Sequence, residues 1–276
     1  MADSNLFSIN TYSYTFSHRA ADCIRHLADQ GYDEFELMMF PGHLWPSEVS
    51  AGDLAEIRTL NERLGTRIVS LNMPNIDMNI AGASPEMREY TLDLLVRFIR
   101  TGGEIGVPYI IIGPGKGNPL FPALRETMDG RFFAALDRLH PVAREAGMTL
   151  LVENMPFAYL PRADELMDAL DRYGNDEIGV IYDVANGYFV DEDPAEGLRR
   201  VKGRLRLVHL SDTGQRVYRH DAVGLGTVPF DVVPPVLAEI GYREKPMLEI
   251  ISQNADADIA DSVRRLAAHG YAAGAR

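Results

Sequence analysis

The chain holds one cysteine, Cys23, so no disulfide can close within it. Its 27 Lys and Arg residues are outnumbered by 40 Asp and Glu, a net charge of −13, and no segment is rich in Lys or Arg. A surface of that sign repels polyanions at long range, which argues against nucleic acid or an anionic membrane as a partner. No apolar stretch approaches the ~18 residues of a membrane span. The opening residues Met1-Ala2-Asp3-Ser4-Asn5 have neither a basic n-region nor an apolar h-region, and the expected location is the cytoplasm. Also missing are a Ser/Gly-rich linker, a low-complexity tract and any repeat visible at the residue level. The expectation is therefore one domain over residues 1–276, although the length alone would allow two.

Hydrophobic residues make up 46% of the chain, enough to bury a full core. Their pattern switches repeatedly between strand-like and helix-like. Strands are expected at Leu6 to Tyr12, Glu34 to Met39, Arg67 to Asn72, Tyr109 to Ile112, Thr149 to Glu153, Ile178 to Asp183, Arg204 to Leu210 and Pro246 to Ile251. Helices are expected near Ser17 to Gln30, Ala51 to Leu64, Ser84 to Ile105, Ala123 to Ala146, Arg162 to Tyr173, Pro194 to Lys202, Pro229 to Ile240 and Asp256 to Ala268. Ser17 is the expected cap of the first helix and Gly31 its stop. Pro85 suits the first turn of the third. Tyr109 to Ile112 is apolar throughout, typical of a strand buried on both faces. Strict alternation of strand and helix selects a parallel sheet. The count favours an α/β fold of the closed (β/α)8 TIM-barrel type over an open doubly wound sheet.

Polar residues gather at or near the C-terminal ends of the last four strands: Glu153, Asp183, His209 and Glu249. A carboxylate beside three or four apolar residues is costly to desolvate and needs a cation, a hydrogen-bond network or an exit to solvent. Taken singly, each acid reads best as a structural salt-bridge or cap partner, and His209 as a satisfied core histidine. Taken together they read differently. Their spacings of 30, 26 and 40 residues are about one strand-plus-helix unit or slightly more, and a closed barrel brings successive strand ends around one axis. Three carboxylates and one imidazole suit one divalent metal ion, Mn2+, Mg2+, Co2+ or Zn2+, with positions left for substrate.

The segments Leu151-Val152-Glu153-Asn154, Tyr182-Asp183-Val184-Ala185-Asn186, Val208-His209-Leu210-Ser211-Asp212, His220-Asp221-Ala222-Val223-Gly224-Leu225-Gly226 and Gly241-Tyr242 with Leu248-Glu249 carry a family resemblance. They resemble the xylose isomerase-like TIM-barrel superfamily, in particular its sugar phosphate isomerase/epimerase group. That group includes ketose 3-epimerases, hydroxypyruvate isomerases, inosose isomerases and dehydratases, and 3-dehydroshikimate dehydratases. The resemblance covers nearly the whole chain and is strongest from Leu150 onward. It implies that Glu153, Asp183, His209 and Glu249 hold one divalent metal, and that Glu153 and Glu249 also form an acid/base pair. It implies a small carbohydrate-like substrate, touched by His220, whose spacing before Gly224 matches a substrate-contacting position. A homo-oligomer stays open.

The chain departs from the family in places. Many members carry a histidine three residues after the strand-six aspartate, where this chain has Asn186. An amide there can hydrogen-bond a substrate hydroxyl but cannot carry a proton near neutral pH. The type IV AP endonucleases of the same superfamily resemble the chain at Arg219-His220 and Gly224-Leu225-Gly226. They hold three zinc ions with further histidines after strands three and four, where this chain has Asn72 and Gly113, so a nuclease is disfavoured. Gly113-Pro114-Gly115-Lys116-Gly117 resembles a phosphate loop only superficially, since no Ser or Thr follows the lysine. Lys116 is the candidate contact to an anionic substrate, and Asn72 a further substrate-binding candidate. The loops His43-Leu44-Trp45 and Asn72 to Asn79 are expected at the barrel mouth, with Gly224 and Gly226 giving backbone freedom near the site.

A divalent cation chelating a carbonyl and its neighbouring hydroxyl makes the adjacent C–H more acidic. One carboxylate can remove that proton and a second, on the opposite face, can return it, which is epimerisation. Loss of a β-hydroxyl from the same enolate is dehydration. The activity expected first is isomerisation or epimerisation of a keto-sugar or related polyhydroxy carbonyl compound, and the alternative is a metal-dependent dehydratase or lyase. A non-catalytic sugar-binding barrel ranks lower, because ligand binding alone would not need both glutamates.

Overall fold

Eight parallel strands close into one barrel in the order in which they occur along the chain. The structure, a computed structural model, describes residues 6–73 and 77–271. The opening segment read for a leader, and residues 74–76 of the second mouth loop, lie outside the described residues. The strands are β1 Ser8–Asn10, β2 Glu34–Met38, β3 Arg67–Asn72, β4 Tyr109–Ile112, β5 Thr149–Glu153, β6 Gly179–Asp183, β7 Leu205–Leu210 and β8 Met247–Leu248. Around them run α1 Ala20–Asp29, α2 Ala51–Leu64, α3 Pro85–Ile105, α4 Arg125–Glu145, α5 Ala163–Tyr173, α6 Val184–Phe189, α7 Pro194–Val201, α8 Val233–Glu239 and α9 Ala255–Ala268. Among the described residues no helix is long and apolar enough to cross a membrane.

Local chemistry accounts for several boundaries. Ser50 and Asp53 form a reciprocal capping box at the start of α2, satisfying two amides that the helix leaves without partners. Ser84 accepts from the Met87 amide and Pro85 occupies the first turn of α3, as expected. The first helix differs. It begins at Ala20, because Tyr12–Tyr14 forms a 3-10 turn that ends the strand early, and the Ser17 hydroxyl bonds to Tyr14 O and His18 instead of capping. The eighth strand is shorter than expected, yet the Glu249 amide still donates to Leu210 O at 3.1 Å and the Ile251 amide to His220 O at 2.8 Å. A further helix, α6, follows β6 directly, because the Asp183 side chain accepts from the Asn186 amide and caps it.

The barrel interior is divided. Strand side chains alternate between faces. Ile111, Leu151, Ile181 and Leu207 form a separate apolar cluster inside β4 to β7. On β1 to β3 the buried polar residues are Ser8, Asn10, Glu34, Glu36, Ser70 and Asn72. The larger core lies between strands and helices, with Phe7, Phe35, Phe98 and Phe132 fully buried.

Candidate active site

Glu153 and Asp183 end β5 and β6, His209 is the penultimate residue of β7, and Glu249 follows β8. The register sets Asp183 beside His209 and His209 beside Met247, two residues before Glu249. All four are buried, and one ligand atom from each lies within 4.8 Å of the others. His209 Nδ1 faces Glu249 at 3.2 Å, Asp183 at 3.7 Å and Glu153 at 3.8 Å. Asp183 Oδ1 caps α6, whereas Oδ2 has no hydrogen-bond partner, and His209 Nδ1 has none either. Orphaned buried atoms of this kind are costly without a cation between them. The donor set fits one hard or borderline divalent ion.

The electrostatics carry the same message. Burial pushes the Asp183 carboxyl up to about 6, with His220 and His209 pulling against it and Glu249 adding to it. Burial raises Glu153 as well, against the pull of His209. Burial by itself would lower His209, but Glu36, Glu249 and Glu153 outweigh it and hold the imidazole well above its usual range. The surrounding carboxylates thus favour positive charge at the centre of the cluster.

Glu36 escaped the sequence reading. It is fully buried on β2, beside the four residues but outside their set. Asn10 Nδ2 donates to its Oε1 at 2.5 Å, Asn72 Nδ2 to the same oxygen at 3.0 Å, and the Ser70 hydroxyl to Oε2 at 2.5 Å. His209 Nε2 stands 3.0 Å from Oε1, an ion-pair contact bent away from the aligned hydrogen-bond direction. Burial would raise the Glu36 carboxyl, yet His209 and the bonds from Ser70 and Asn72 outweigh it and hold the group below the usual carboxylate range. The signal was in the sequence: Glu36 is a carboxylate inside an apolar strand run, as Glu153 is. It sits two residues before the strand end, away from the strand-end positions that the other four occupy.

A cavity of about 270 Å³ opens above the cluster. Glu153, Glu249, His220, Asn72, Lys116 and Tyr218 line it, and Met38, Met73, Met78, Ile80 and Phe157 form an apolar side. Asn79 holds the Lys116 backbone in place from both sides, its Oδ1 taking the Lys116 amide and its Nδ2 the carbonyl. Burial lowers the Lys116 ammonium, with Asp77 acting against it. Asn72 reaches the cavity while its amide is engaged by Glu36 and the Met73 N–H. Asn186 does not line the cavity. It lies buried behind Glu153, donating to Glu153 Oε1 at 3.2 Å and to Asn154 O at 2.9 Å.

His220 rides on the long segment between β7 and α8. Asp212 shapes that segment: it pairs with Asp221 through two backbone bonds, and its carboxylate takes the amides of Thr213, Gly224 and Val228. Gly226 is required there, since a Cβ would stand 2.4 Å from Thr213 O. His220 Nδ1 lies 2.9 Å from the Ser211 hydroxyl and 3.3 Å from Glu249. Tyr218, another residue the sequence did not single out, donates to Asn186 Oδ1 or His220 Nε2, each 2.6 Å away. Burial and the charges of Asp183, Glu249 and Glu153 push its phenol up, so it is a neutral donor. The expected mouth loop at His43 behaves differently. His43 is buried between Thr11 and His18 O, and Trp45 packs edge-on against Phe98 at 5.2 Å, so neither lines the cavity.

Fold and site together define a (β/α)8 barrel with a buried carboxylate–imidazole cluster at the C-terminal ends of its strands. The profile of the xylose isomerase-like TIM barrel family matches residues 24–269, and the chain belongs to that family. Among solved structures it is similar to a D-tagatose 3-epimerase-like protein, with 19% identity, TM-score 0.82 and coverage of 95% of this chain and 96% of that one. A 3-keto-D-glucoside 4-epimerase from E. coli gives 16%, 0.79, 96% and 99%, and a D-psicose 3-epimerase from Clostridium cellulolyticum H10 gives 16%, 0.76, 96% and 96%. At such identities the likeness speaks for the fold. A search of curated proteins found no match.

Proposed function

We propose that the protein is a divalent-metal-dependent isomerase or epimerase of a keto-sugar or related polyhydroxy carbonyl compound, with Glu153 and Glu249 as the acid/base pair. The observation that carries this reading is that both glutamates line one cavity and also belong to one buried cluster with Asp183 and His209. Bound there, a divalent ion would chelate carbonyl and hydroxyl oxygens and stabilise the enediolate of the substrate. Glu153 ends β5 and Glu249 follows β8, with β6 and β7 between them, and the pair acts from opposite faces of the reacting carbon. One removes the proton and the other returns it. His220 and Tyr218 donate to a substrate oxygen, Asn186 fixes Glu153 from behind, and Asn72 and Lys116 contact the remote end, Lys116 favouring an anionic group. The substrate is a small molecule and the working location the cytoplasm.

Tyr218 and His220 also favour a second reading. They add a proton donor beyond the two glutamates, which is what loss of a β-hydroxyl requires, and this supports a dehydratase or lyase as the alternative. The two are separated by following the protein with Mn2+, Mg2+, Co2+ or Zn2+ against keto-sugars, inososes and dehydroshikimate in deuterated water by NMR. Deuterium entering beside the carbonyl in a product isomeric with the substrate identifies the isomerase or epimerase; an unsaturated product that has lost water identifies the dehydratase. Glu249→Gln, assayed at a metal concentration that keeps the variant loaded, should lower turnover by roughly 10²–10⁴-fold. Near-normal turnover in a metal-loaded variant rules out the assigned pair.

A further inference from the structure

Among the polar groups beneath the cluster, Glu36 stands out for what surrounds it. The Tyr12 amide donates to Asn10 Oδ1 and the Met73 amide to Asn72 Oδ1, each at 2.7 Å. Each side-chain amide is thereby held in one orientation, with its amino group turned to Glu36. With the Ser70 hydroxyl added, three fixed donors converge on a fully buried carboxylate. Taking an ion of that kind out of water is costly, and a barrel interior filled by apolar residues, as Ile111, Leu151, Ile181 and Leu207 fill the other side, would avoid it. The carboxylate therefore has a use, and the one group of the cluster it meets is His209, through Nε2 at 3.0 Å.

We infer that Glu36 is a positioning residue that selects the His209 tautomer and so sets the metal affinity of the site; the inference rests on the metal reading proposed above. A neutral imidazole carries one N–H. His209 Nδ1 faces three carboxylates and must present a lone pair to bind a cation among them. The proton then belongs on Nε2, which faces Glu36, when ionised an acceptor only, at 3.0 Å. The negative charge also makes the ring a stronger donor to the metal, the known effect of a carboxylate on the far nitrogen of a ligating histidine. A charge-free residue of the same shape leaves both tasks half done.

Glu36→Gln isolates the charge, since its amide oxygen can still accept from the same donors. Titration of the purified variant with Mn2+ should give a dissociation constant about 10- to 100-fold weaker than that of the wild type, the usual loss when such a partner is removed. Its metal-free fold, followed by circular dichroism and thermal unfolding, should be retained. In the Zn2+-loaded wild-type protein, long-range 1H–15N correlation should show His209 liganded through Nδ1 and protonated at Nε2. Equal Mn2+ affinity in a folded variant overturns the inference, as does Nε2 ligation in the wild type; should the variant not fold, the wild-type tautomer alone decides. A wild-type protein that binds no Mn2+ overturns the metal reading itself and this inference with it.

Discussion

The Tyr218 hydroxyl lies 2.6 Å from His220 Nε2, joining two residues of one loop beside the clustered carboxylates. The phenol has a single proton and faces Asn186 at the same distance, so it can serve only one of them as donor. A substrate oxygen entering the cavity competes for that proton.

Replacing His220 by Gln should therefore reduce turnover by roughly 10²–10³-fold, the scale of losing one oriented donor, while metal content stays unchanged. Kinetics and metal analysis on the same preparation check both halves. Loss of metal together with activity would make His220 a ligand, and unaltered kinetics would make it a residue of the loop alone.

The cluster should bind one divalent ion per chain, and Glu153→Gln or His209→Ala should weaken it sharply. Metal analysis after dialysis reads this directly; none bound, or a stoichiometry near three, removes the proposal. The pH dependence follows from Asp183, whose carboxyl is raised from 3.8 to about 6. The metal-free folded state binds that proton more tightly than the unfolded chain, so it loses stability as pH rises across this interval. A cation takes the proton's place. The gain in Tm on adding Mn2+ should grow as pH rises through about 6.

His43 provides a pH response away from the cluster. Its ring sits between Thr11 and His18 O, and burial pulls it from 6.5 to about 4, against the bond to the His18 carbonyl. The unfolded chain then takes up this proton before the folded protein does. The associated stability is complete above pH 6.5 and is lost as pH falls toward 4, on the order of 3 kcal/mol over the window. An NMR titration in which the His43 ring becomes protonated near pH 6.5 would contradict this.

The barrel and its four-residue cluster were legible in the sequence because both depend on local patterns. Each strand carries its own apolar run, and a ligand at a strand end reaches the axis once the barrel closes, with little dependence on neighbouring registers. The boundaries that differ do so for local reasons of another kind: the 3-10 turn after Asn10 precedes a first helix that starts late, and the Asp183 cap starts α6 ahead of the helix expected from Pro194.

By itself, then, the sequence determined the alternation of strand and helix, the closed parallel barrel and the gathering of Glu153, Asp183, His209 and Glu249. Only the tertiary structure decided that Glu36 meets His209, that Asn186 stands behind Glu153, and that Tyr218 links Asn186 to His220. The physical reason is register. Between Phe35 and Glu36 the pairing of β2 with β3 shifts, skipping Val69, so that Glu36 comes to lie beside Ser70. Residues 36 and 209 then touch across the interior because eight strands close in one particular stagger, which no run of neighbouring residues encodes.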